Sequence, residues 1–568
     1  MQSSDRPAAG CGGISPLFYY GSFLFFAFFV GIYLIPDGDF WVHLAQGLYI
    51  VDHRTLPSVD VFSFTYAGQP WDNWEWLHNV WSALLWNGAG PAGIIAFRVF
   101  LIFALSAALF HTYRIFSRDM PISFAMVFLS LLLAQHRISD RPQLFAYVMT
   151  AVVMFLAATT SRVFSMRSFL LFLALFLFRN AHPSWVIGVA ILCAALADKA
   201  LRKEMSPSRA EILLLFFSFF ALYLLTPFRG EVSHYLTLQS SPHTLHEWQS
   251  LFSLGPLLCS VYYIVFFLFS LLVLGAVVLS GKKRPFYSLL TLLLLANAYL
   301  HVRFIADAAI VGSALVVGAF PRICPERFTD RHRKLFCLSV LCLALVLGQA
   351  NFSQLGFHRG IGTDADKVPL YAGEYIREHD LKGNYFGIYS GSTDFLMAYA
   401  YHRVKVTVDV RVPGLYPYDF AERYWNITNE RDLRDHVLSL PLDYMVLGRP
   451  DYLSHQTHEM HVERILRAEG WHLYYFDARY AVYGAPHTKG GAVVEPFRLL
   501  SRWNNSPQDI AAAIEGGRFE ELLKELTTLK TNTAGRDDSY REVAVMLYRQ
   551  EALNEEQKVA LERLFRDR

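Results

Sequence analysis

A chain of 568 residues that is 54% hydrophobic, 15% aromatic and only 18% charged, with a mean hydropathy of +0.27, is too apolar for an ordinary soluble protein of its length. Its formal charge of +2 is scattered, with no basic stripe or recognition motif, which argues against a nucleic-acid partner. Six cysteines with no CxxC pair imply neither a zinc site nor a disulfide framework.

The first apolar run, 17–35, is long enough to span a bilayer and is followed by no small-residue cleavage site, so it reads as a retained helix. Further apolar runs follow at 92–110, 122–134, 144–160, 169–178, 185–197, 212–225, 259–279, 286–300, 304–320 and 335–350. Several are shorter than the roughly 20 residues of a straight span, so tilt or flanking turns must extend them. The expectation is a polytopic α-helical membrane protein with about eleven transmembrane helices. Arg98 lies inside the second run and must point into the bundle, because a lipid-facing guanidinium is costly.

Orientation follows from the cations in the loops. With the N-terminus inside, the inner loops hold 16 Lys and Arg and the outer loops six: Arg54, Arg137, Arg141, Arg179, Arg229 and Arg303. That asymmetry predicts a cytoplasmic N-terminus, a membrane domain over 1–350 and everything after it on the far side. From Lys367 the pattern turns to soluble alternation, with a helix near 371–379, a strand in NYFGIYS, a helix near 394–401, a strand in VKVTVDV, a helix in RDLRDHVLSL and a strand in DYMVLG. An extracytoplasmic α/β domain of at least three strands is expected over 351–503. It has no GxGxxG or Walker loop, hence no support for a nucleotide site. A charged helical segment closes the chain over 504–568.

The topology gathers polar residues on one side. The long first outer loop, 36–91, carries Asp37, Asp39, Asp52, Asp60, Asp72 and Glu75 against a single Arg54, and its WDNWEWLHNVW segment suits the headgroup zone. Other outer loops bring HRISDRPQ, RNAHPSW, a stretch ending in HEWQ, and HVR. None of the six outer cations is a lysine, and guanidinium grips phosphate in a planar, bidentate way. This layout fits a site for an anionic lipid headgroup. Arg141, Arg303 and His182 would face the phosphate, and His43, Glu75 and Glu247 would make further substrate contacts. Asp39 or Asp37 would accept or orient the proton of an attacking group. The plainer alternative for the two aspartates is a helix-end cap.

DGDFWVHLAQG followed by DVFSFTYAGQPWDNWEWL resembles the GT-C superfamily of integral-membrane glycosyltransferases, and RPQLFAY, RNAHPSWVIG and HEWQS add further echoes. The likeness runs from Asp37 to about Arg303 and departs at Val42, Pro183 and Ser184. It implies transfer of a sugar from a polyprenyl-phosphate or polyprenyl-diphosphate donor to a protein or glycan acceptor on the periplasmic face of a bacterial inner membrane. It also implies a functional aspartate just after the first helix, with Asp39 in the best position and Asp37 second, and it leaves a Mg or Mn ion open at that pair. Two other readings use the same residues: a transporter or flippase of a lipid-linked saccharide, and a non-catalytic assembly factor.

Overall fold

The computed structural model describes residues 15–36, 38–117, 119–160, 165–204, 224–227, 249–253, 261–320, 330–387, 390–412, 414–425, 427, 430–448, 459–477, 479–488, 507–533, 545 and 553–566. Contacts divide the chain into two units: residues 1–35 with 73–362, and residues 36–72 with 363–568.

The first unit is helical: α1 (Pro16–Gly31), α3 (Trp76–Phe116), α4 (Met120–Ala134), α5 (Pro142–Thr159), α6 (Met166–Ala181), α7 (Trp185–Leu201), α8 (Val261–Ser280), α9 (Pro285–Leu300), α10 (Ile305–Ala319) and α11 (Asp330–Gln354). Ten of the eleven apolar runs therefore coincide with helices. The remaining run, 212–225, lies outside the described residues except for its last two. Among the described residues six helices are long and apolar enough to cross a membrane, and α1 and α9 are shorter apolar helices. The starts are written locally. Ser15, Asp119 and Ser165 accept the backbone N–H of Leu17, Ile122 and Ser168, and proline opens α1, α5 and α9.

Helix α3 is two helices joined at a kink. Gly90 has φ 57° and ψ −144°, a conformation that favours glycine, and Pro91 behind it has no N–H to continue the ladder. Arg98, two turns into the second half, is 1% exposed and does face inward. Its guanidinium clasps Asp140, with Nε 2.8 Å from Oδ1, and donates to the carbonyls of Gly31 and Tyr33, each at 2.9 Å. An inward Arg was expected; its partner is the Asp of HRISDRPQ.

The second unit is an α/β fold. Its five strands are β1 (Gly383–Gly387), β2 (Val404–Val406), β3 (Tyr444–Gly448), β4 (His472–Phe476) and β5 (Tyr480–Gly484), in the order β2-β1-β3-β5-β4. The β2-β1-β3 half is parallel and the β3-β5-β4 half antiparallel. The three strands read from the sequence are present, and the β4-β5 hairpin adds two. Residues 36–72 complete this unit. The helix expected near 371–379 is α12 (Leu370–Glu378). Helix α2 (Gly38–His53) packs on α13 (Ser390–Tyr399), with the buried Trp41 ring 4.7 Å from that of Phe395. Residues 62–64 run beside β2, where Val406 N donates to Phe62 O and Phe64 N to Val406 O, both at 3.1 Å. Leu522, Leu526 and Leu529 of the terminal helical segment share one apolar core with Phe386 and Met445 of the sheet.

Candidate active site

In the second unit, Asp39 sits in the first turn of α2 and is half-buried, where the helix dipole favours a carboxylate. His43 follows one turn later and is also half-buried. Across the α2–α13 packing lies Asp394, a residue that the sequence reading did not single out. It is 0% exposed, and neither carboxylate oxygen makes a hydrogen bond of ordinary geometry among the described residues. Burial, and then the charges of Asp409 and Asp39, hold its carboxyl well above the usual carboxylate range; Arg411 and the Val410 N–H act the other way. Asp394 therefore holds its proton more tightly than an ordinary aspartate, and the negative charges of Asp409 and Asp39 act in that direction.

Behind this pair lies a buried ion cluster. Arg411 donates through Nε and Nη2 to the two oxygens of Asp409 at 2.8 and 2.6 Å, and through Nη2 to Asp60 at 2.7 Å. Tyr416 Oη donates to Asp409 at 3.1 Å. Asp60 also accepts the N–H groups of Phe62 and Ser63 and the Ser63 hydroxyl. The cluster ties residues of the WDNWEWL-proximal loop to the strand VKVTVDVR and holds a negative electrostatic background around Asp394.

Asp394 yields a pH test. An unfolded aspartate ionises near pH 3.9, so between that value and the raised folded value the folded state binds more protons. Stability falls as pH rises through this window and is unaffected below it. Asp394→Asn should raise the stability at pH 8 by about 1–3 kcal/mol and leave it near wild type at pH 4. Thermal unfolding at the two values checks this; a variant less stable at pH 8 contradicts the assignment.

The other expected site residues belong to the first unit. Glu75 and His182 are brought together, Oε1 to Nε2 at 3.7 Å, and His182 Nδ1 is 2.7 Å from Ser184 Oγ. Trp76 Nε1 donates to Asn180 Oδ1 at 2.8 Å, which joins the NWEWL and RNAHPSW segments. Pro183 and Ser184 depart from the family pattern, yet Ser184 orients the histidine. Arg141 stands immediately before α5, with no capping hydrogen bond from its side chain, and is half-buried. Arg303 lies in the turn before α10, where it and Arg137 both bear electrostatically on the buried Asp307, so two outer-loop guanidiniums converge on one acid. Asp37 and Glu247 lie outside the described residues.

The metal expectation keeps one described ligand, Asp39. Among the described residues Asp39 joins no cluster of three metal-ligating side chains.

No protein-family profile and no curated protein matches the chain. Solved structures do. The oligosaccharyltransferase of Archaeoglobus fulgidus, tethered to an acceptor peptide containing an NVT sequon, aligns with a TM-score of 0.50 at 11% identity over 85% of this chain and 74% of that one. Its apo form gives 0.50 at 10% identity, over 84% and 75%. ArnT from Cupriavidus metallidurans bound to undecaprenyl phosphate gives 0.50 at 9% identity, over 83% of this chain and 98% of that one. The chain shares their fold along most of its length.

Proposed function

We infer from the GT-C fold of this multi-pass membrane chain that it is a glycosyltransferase taking its sugar from a polyprenyl-phosphate carrier on the periplasmic face. The observation that carries the reading is Asp39, held at a helix start beside a second carboxyl that burial and neighbouring acids keep above the usual carboxylate range. Paired carboxyls in environments that differ this much are a means of keeping one group available for proton transfer. An acceptor hydroxyl or amine attacks the anomeric carbon. The bond from that carbon to the phosphate oxygen breaks as the new bond forms, the acceptor proton passes to Asp39, and the lipid phosphate leaves with the bonding pair. A single displacement inverts the anomeric centre. Within the first unit, Arg303 and Arg141, with His182 oriented by Ser184, are the groups suited to offset charge building on a donor phosphate. The fold's likeness to a protein bound to undecaprenyl phosphate supports the donor class, and the likeness to a transferase tethered to an acceptor peptide supports a protein acceptor.

Purified protein given a polyprenyl-phosphate-linked radiolabelled sugar should release free polyprenyl phosphate and place the label on an acceptor. Label that crosses a bilayer while the lipid-sugar bond stays intact would instead make the protein a flippase. Intact donor with neither transfer nor crossing would make it an assembly factor.

A further inference from the structure

Helix α7 runs from the His182 turn at one end to Asp198 and Lys199 at the other, about 25 Å away by its 17 residues. At that far end is a cavity of about 100 Å³ bordered by Asp198, Lys199, Arg202, Glu204, Arg284 and Tyr287. A water takes ~10–15 Å³ on this measure, so the space admits a group of several heavy atoms.

The charges around it do not balance. Asp198 spends both oxygens on the start of α9, accepting from Phe286 N at 2.9 Å and Tyr287 N at 3.1 Å. Glu204 is paired with Arg202 at 2.7 and 2.9 Å. Lys199, 8% exposed, donates to the carbonyls of Ala157 and Thr160 at 2.7 and 2.5 Å, which leaves its third N–H. Arg284 lays its guanidinium over the Phe116 ring at 4.2 Å, and among the described residues it has no hydrogen-bond or ion-pair partner. Thus, among the described residues, two cations with no carboxylate in ion-pair contact border the same space, with Asp198 and Glu204 acting on Arg284, and Glu204 on Lys199, only from a distance. Lys199 is buried and Arg284 half-buried, and taking such charges out of water is costly unless a further anion joins them.

We propose that this cavity binds a phosphate group, held in the fork of Arg284 and by Lys199, at the end of α7 away from the His182 turn. The guanidinium fork matches a phosphate's oxygens, and basic pockets between membrane helices on the cytoplasmic side suit anionic headgroups. The loop charges place this end on the cytoplasmic side. The phosphate comes from an anionic phospholipid or from solution, and the test separates the two.

In nanodiscs containing phosphatidylglycerol and phosphatidylcholine, wild-type protein carried into detergent should retain about fivefold more phosphatidylglycerol than Arg284→Gln. Lys282→Ala, an exposed control of equal charge change, should behave as wild type. In lipid-free detergent, inorganic phosphate replacing chloride at constant ionic strength should raise the unfolding temperature of wild type and not of Arg284→Gln. Retention identifies a lipid source; a phosphate shift without retention identifies a soluble one. Should Arg284→Gln fail to fold, Arg284→Lys keeps the charge, loses the fork and should bind at an intermediate level. Equal behaviour of wild type and variant overturns the site, as does wild type with neither retention nor shift.

Discussion

Replacing Arg411 by alanine should destabilise the protein by about 3–5 kcal/mol, lowering the unfolding midpoint by roughly 6–20 °C. The guanidinium is 5% exposed, and both acids it pairs are 0% exposed at their side chains. Its removal strands two carboxylates in a dry interior, where each loses the charge that offset its desolvation. It also removes a cation from beside Trp71, whose ring lies 4.8 Å from the guanidinium carbon. Arg411→Leu combined with Asp60→Asn and Asp409→Asn should recover much of the loss, because no net charge is then buried. Thermal unfolding of the purified chain tests both. An unchanged midpoint for the single variant contradicts the role given to the cluster.

The spans were legible because a bilayer demands long apolar runs, and caps and prolines marked their ends. Arg98 could be turned inward from cost alone. Its partner could not be named, because Asp140 meets it only through packing. Strands β1 to β3 showed as β-prone runs set between helices. The β4-β5 hairpin was missed although its signal is present: two aromatic runs, HLYYF and YAVYG, flank Asp477, whose side chain accepts Arg479 N at 2.7 Å and Tyr480 N at 2.6 Å to make the turn. Asp39 was legible from its place behind the first span. Asp394 was not, because its meaning depends on a helix more than 340 positions earlier in the chain; an acid inside the otherwise apolar DFLMAYA was the one local hint. Arg411 was hidden likewise, at the end of a stretch read as a plain strand.

Asp39→Asn should lower turnover by about 10²- to 10⁴-fold, the usual worth of a positioned proton acceptor. The amide keeps the size and much of the hydrogen bonding of the carboxylate but cannot take the acceptor's proton, so kcat should fall while donor affinity changes little. A loss confined to KM would instead mark Asp39 as a binding group. The decisive measurement is single-turnover release of polyprenyl phosphate from a labelled lipid-linked sugar, with donor binding and thermal stability followed in the same preparations of wild type and Asp39→Asn. The result expected is a folded variant that binds donor and releases almost no lipid phosphate; release at the wild-type rate would contradict the assignment of Asp39 to the chemistry.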